Sequence, residues 1–125
     1  MKAWLILFSM IFCHIVDDYY LQGVLAKMKQ RSWWEENAPQ EKYKNDYKIA
    51  LSMHAFSWSF MIMIPYIFIG ANQYAVFIAV MINTVIHAFI DDLKANKKKI
   101  NLIQDQQMHF FQIVFSWILV GVFGF

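Results

Sequence analysis

His87-Ala-Phe-Ile-Asp91-Asp92-Leu-Lys94 ends an apolar run that begins at Tyr74. In a helix, residues four apart share a face, so His87 and Asp91 point the same way. Asn83 sits one turn earlier on that face, which makes a polar stripe on an otherwise apolar segment. The same spacing recurs as His14…Asp18 and, reversed, as Asp105…His109. Three such pairs in 125 residues imply one composite site.

A chain of this length is one domain, residues 1–125. Hydrophobic residues make up 59% of it, above the roughly 45–50% usual for soluble domains. They come in four blocks: Ala3–Val16, Ile49–Gly70, Tyr74–Ile90 and Met108–Phe125. A bilayer core needs about 20 apolar residues in a helix. The last three blocks meet that length, and the first does so if its helix continues through Asp17 to Leu21. The expected fold is therefore all-α, a four-transmembrane-helix up-and-down bundle with helices over about 3–25, 49–70, 74–93 and 105–125. No small-residue cleavage site follows the first block, so it reads as a span and not a signal peptide. The single Cys13 offers no internal disulfide.

Lysine and arginine orient the bundle. Of eleven basic residues, six lie between the first and second blocks and four between the third and fourth, while Ala71-Asn72-Gln73 carries none. Basic short loops stay cytoplasmic. Both basic connections then fall on the cytoplasmic side of a bacterial plasma membrane, with both termini outside. The first connection is long, about Gly23 to Lys48, and its Trp33-Trp34 pair suits the headgroup region. A short surface helix around Tyr43 and Tyr47 and a solvated loop are both compatible with its composition.

On that topology His14, Asp17, Asp18, His54, His87, Asp91, Asp92, Asp105 and His109 all fall toward the cytoplasmic side. Asp105 at a helix start is favoured by the helix dipole. Asp17, Asp18, Asp91 and Asp92 sit toward helix C-terminal ends, where the dipole disfavours anions, so a positive group must offset them: Lys94, other lysines or a divalent cation. Neutral imidazole with carboxylate suits zinc first, with manganese or iron as alternatives. The candidate ligands are His14, Asp18, His54, His87, Asp91, Asp105 and His109. Asp17 and Asp92 are candidate general bases, and Gln22, Asn83, Lys94 and Gln106 candidates for outer hydrogen bonds or substrate contact. A lone buried histidine such as His54 is more often an interhelical hydrogen-bonder than a ligand, so the case rests on the convergence.

The order His14-Ile-Val-Asp17-Asp18-Tyr-Tyr-Leu-Gln22, then His54, then His87 to Lys94, then Asp105-Gln106-Gln107-Met108-His109 resembles a domain-of-unknown-function family of small bacterial and phage integral membrane proteins. The resemblance spans essentially the whole chain. A neighbouring group with similar His/Asp helices is described as membrane-bound metal-dependent hydrolases, and the resemblance implies a metal site of that kind.

Two functions follow. One is a metal-dependent hydrolase at the membrane surface, acting on a lipid or other phosphoester, with Lys97–Lys99 attracting anionic headgroups. The other is a non-catalytic, metal-stabilised module, such as an ion-carrier component or a phage accessory protein acting on envelope partners. The bilayer is the expected partner, and a homo-oligomer fits either function. No nucleic acid is expected, because Glu35, Glu36, Glu41 and Asp46 interleave with the lysines of the first connection.

Overall fold

The computed structural model describes residues 2–123, and among them the secondary structure is helical. Helix α1 (Ala3–Val16) passes into one π-helical turn, Asp17–Leu21. Two short helices follow, α2 (Leu25–Met28) and α3 (Arg31–Asn37), then a 3-10 turn, Glu41–Tyr43. Three long helices complete the chain: α4 (Asp46–Phe68), α5 (Gln73–Ala95) and α6 (Leu102–Phe123). The basic first connection is thus largely short helices, with α2 and α3 laid against α4.

Local chemistry sets the ends. α4 stops at Gly70, whose φ of 72° is the left-handed geometry glycine takes without strain. Asn72 then caps α5, its Oδ1 accepting from the backbone N–H of Tyr74 at 2.9 Å. α6 begins three residues earlier than its apolar pattern implies, because Asn101 and Gln104 form a reciprocal capping box. Gln104 N–H donates to Asn101 Oδ1 at 2.9 Å, and Asn101 N–H to Gln104 Oε1 at 3.0 Å. Asp105 is therefore not the cap but the fourth residue of the helix, its N–H bonded to the Asn101 carbonyl at 3.0 Å.

α1 packs on α4, α4 on α5, α5 on α6, and α6 back on α1. The buried face of α4 runs Ala50, Leu51, His54, Ala55, Trp58, Ser59, Ile62, Met63 and Tyr66, a stripe at steps of three to four. On α5 the stripe is Val76, Ala79, Val80, Asn83, His87, Ile90 and Asp91. Each stripe is polar toward one end and apolar toward the other. The apolar ends meet in a core of Ile6, Met10, Ile62, Met63, Tyr66 and Val80 with their neighbours.

Outward faces carry exposed Trp4, Phe8, Phe12, Phe77 and Phe111, far more apolar surface than a water-soluble monomer presents. Three segments are long and apolar enough to cross a membrane: Ala3–Leu21, Glu41–Phe68 and Gln73–Ala95. α6 has 22 residues, and Asp105, Gln106, Gln107, His109 and Gln112 dilute its first half.

Candidate metal centre

Five elements deliver the polar cluster. His14 closes α1, Asp17 and Asp18 lie in the π-helical turn, and His54 comes from α4. His87 and Asp91 come from α5, and Asp105 and His109 from α6. The four histidines, Asp17, Asp91 and Asp105 are all buried, and the Asp18 side chain is 12% exposed. The π-helical turn has a specific effect. It carries residues five apart onto one face, and there Gln22 Nε2 donates to Asp17 Oδ2 at 2.6 Å.

Hydrogen bonds to groups of fixed polarity set three imidazole tautomers. Gln22 spends its amide N–H on the Asp17 carboxylate, so its Oε1 faces Nδ1 of His54 and accepts from it. Nε2 of His54 is left directed into the cluster. Gln112 spends its N–H groups on the Asn83 backbone carbonyl (3.2 Å) and on Asn83 Oδ1 (3.1 Å). Its Oε1 therefore accepts from Nδ1 of His109 at 3.4 Å, and Nε2 of His109 points inward. His14 differs: Trp58 Nε1–H donates to its Nδ1 at 2.7 Å, and its Nε2 donates to Gln106 Oε1 at 3.0 Å. Both of its nitrogens are taken.

The remaining contacts gather acceptors. Nε2 of His54 lies 3.1 Å from Nε2 of His87 and 2.7 Å from Asp91 Oδ2. Nε2 of His109 lies 3.4 Å from Asp91 Oδ1 and 3.3 Å from Asp105 Oδ1. Two ligands held tetrahedrally at about 2.0–2.2 Å by one ion stand about 3.3–3.6 Å apart, so the two His109 separations already suit coordination and the two His54 separations are shorter. Among the described residues, Asp18, His54 and His87 form one group able to hold an ion, and His87, Asp91 and His109 form another. Nδ1 of His87 and Oδ1 of Asp105 are buried without a hydrogen-bond partner. Imidazole nitrogens facing buried carboxylates are a ligand set that a divalent cation would satisfy.

The other expected residues fall around this centre. Asp17 accepts from Ser57 Oγ at 2.8 Å as well as from Gln22, which makes it a support for His54. Asp92 turns to Asn96 (2.9 Å) and Lys97 (3.1 Å), at the half-buried end of α5. Lys94 and Gln106 both donate to Asp105 Oδ2, at 2.8 and 3.1 Å. Asn83 donates to Ser116 Oγ at 2.6 Å and anchors Gln112. His14, bound through Gln106 to Asp105, stands beside the two groups.

Two residues were absent from the expected site. Lys29, read from the sequence as part of the basic connection, reaches back so that Nζ lies 2.6 Å from Asp91 Oδ2 and 3.1 Å from His54 Nε2. No spacing in the sequence marks it out. Trp58 stacks on His87 with ring centroids 4.2 Å apart. It stands four residues after His54, and that shared face was the available signal.

Residues 6–124 match the family described as protein of unknown function (DUF3307). The chain belongs to that family. No curated protein and no solved structure matches it. The family's description assigns no activity, so the chemistry has to be argued from the centre.

Proposed function

We propose that this DUF3307 protein is a multi-pass protein of the bacterial plasma membrane whose four long helices form an up-and-down bundle around one bound divalent metal ion, zinc by preference. The observation that carries the metal reading is the meeting of His87, Asp91 and His109 in one buried group able to hold an ion, with Asp105 Oδ1 3.3 Å from His109 Nε2. An anionic pocket inside apolar helices costs several kcal/mol, and a cation offsets that cost. His87 and His109 with Asp91 and Asp105 are the proposed ligands, and Lys94 and Gln106 orient the Asp105 carboxylate through its other oxygen.

The same reading makes the centre hydrolytic. His87, His109, Asp91 and Asp105 would hold the ion, and its chemistry there would be to activate a water, with a pKa lowered toward ~7, and to polarise a phosphoryl or carbonyl oxygen. Asp18 and Lys29 are the partly exposed members, with side chains 12% and 17% accessible, so they mark the mouth of the site. Asp18 takes the proton, and the substrate is a phosphoester at the lipid headgroup level, drawn in by Lys97–Lys99. A structural role is the second reading, favoured by the burial of His54, His87, Asp91 and His109 to 2% exposure or less.

The test is metal analysis of the full chain in lipid nanodiscs, with release of headgroup phosphate from phosphatidylglycerol vesicles as the activity. Stoichiometric zinc, with hydrolysis lost on chelation and in His109→Ala, supports the enzyme. Zinc without hydrolysis selects the structural reading, and absence of any bound metal overturns both.

A further inference from the structure

Asp91 faces two ways. Its Oδ2 lies 2.6 Å from Lys29 Nζ and 2.7 Å from His54 Nε2, and its Oδ1 lies 3.4 Å from His109 Nε2. The two sides are not equivalent. On the Oδ2 side, the Lys29 ammonium donates to the carboxylate and also lies 3.1 Å from His54 Nε2. On the Oδ1 side, His109 Nε2 meets Asp105 Oδ1, which has no hydrogen-bond partner. Lys94 does not serve it, being bound to the other oxygen of Asp105.

We propose that the cluster holds two cation positions bridged by Asp91, and that the Lys29 ammonium fills one of them, so that the chain takes a single divalent ion at the other. This rests on the metal reading above. A plain ion pair would engage Asp91 alone. Lys29 instead sits on the imidazole that, with Asp18 and His87, forms a group able to hold an ion in its own right. Asp18 Oδ1 stands 3.9 Å from the same His54 nitrogen. A monocation therefore stands in a place built from divalent-metal ligands, and a carboxylate that offers one oxygen to each of two cations is the bridge of paired-metal hydrolytic sites. The lysine is delivered on purpose-shaped backbone: its carbonyl accepts from Asn96 Nδ2 at 3.2 Å, and Arg31 N–H donates to Asn96 Oδ1 at 2.7 Å, tying the end of α2 to the end of α5.

Zinc stoichiometry of the full chain in nanodiscs, measured by equilibrium dialysis and elemental analysis, tests this. Expected are one zinc per wild-type chain, two in Lys29→Met, and none in wild type carrying Asp105→Asn and His109→Gln. Should Lys29→Met not give folded protein, Lys29→Gln removes the charge while keeping a donor and carries the same expectation. One zinc in both wild type and variant overturns the second position while leaving the metal reading intact, and two in wild type overturns Lys29 as its occupant. One in the variant and none in wild type also overturns it, since Lys29 would then occupy the only place for an ion. No zinc in either chain removes this inference and the metal reading together.

Discussion

The indole N–H of Trp58 donates to Nδ1 of His14 at 2.7 Å and takes that nitrogen out of reach of the proposed ion. With Nε2 of His14 donating to Gln106, which in turn donates to Asp105, His14 acts on the centre through two hydrogen bonds. His14→Ala should therefore weaken zinc binding by about 10–100-fold, the usual cost of losing an outer partner, with full occupancy restored at high zinc. His109→Ala should lose stoichiometric zinc at any concentration short of adventitious binding. A competition titration with a chromogenic chelator separates the two, and equal losses would return His14 to the ligand shell.

Gln22 links Asp17 to His54, donating to the first and accepting from the second. Gln22→Leu leaves Nδ1 of His54 buried without an acceptor and Asp17 with Ser57 alone. The expected cost is about 1–3 kcal/mol of stability, read as a lower thermal midpoint in nanodiscs. An unchanged midpoint would mean that the π-helical turn does not position His54.

Much of this arrangement was legible in the amino-acid order. Apolar block lengths foretold the long helices, with α5 (Gln73–Ala95) within two residues of the expected 74–93 at each end. The His-x-x-x-Asp pairs foretold which ends would carry the polar groups. What escaped has physical causes. Helical spacing says which side chains share a face but not which nitrogen of a ring is free, and here the Trp58 indole and the Gln22 and Gln112 amides decide that. Lys29 escaped because its position depends on α2 folding back on α4, a tertiary contact with no periodic trace. The Asn101–Gln104 capping box was visible in the sequence, yet the apolar pattern that starts later masked it.

If a cation completes the cluster, it must stabilise the fold by mass action. Zinc held at about 100 times its dissociation constant should raise unfolding free energy by about 2.7 kcal/mol, reversed by a chelator. Denaturation by SDS in mixed micelles, with and without zinc, reads this directly. Coincident curves would argue against an ion bound to the native state alone.

The apolar half should respond to packing and not to metal. A Cβ on Gly121 would meet Tyr66 Oη at 3.3 Å, and that hydroxyl donates to the Trp117 carbonyl at 2.7 Å. Gly121→Val should cost about 1–3 kcal/mol through overpacking while zinc stoichiometry stays at the wild-type value. Loss of zinc in this variant would mean that the two ends of the helices are not independent.

Orientation is testable without purified protein. The lysines at 94 and 97–99 and the basic residues at 27–48 lie on two connections, whereas residues 71–73 between α4 and α5 carry no charge. The positive-inside rule then puts both basic connections in the cytoplasm, and the metal centre with them, since His87 and Asp91 approach the C-terminal end of α5. A reporter active only outside the cytoplasm, fused after Phe125, should be active, and the same reporter inserted after Pro39 should be silent. An active insertion at Pro39 with a silent C-terminal fusion would turn the protein over, moving the centre and any headgroup substrate to the outer leaflet.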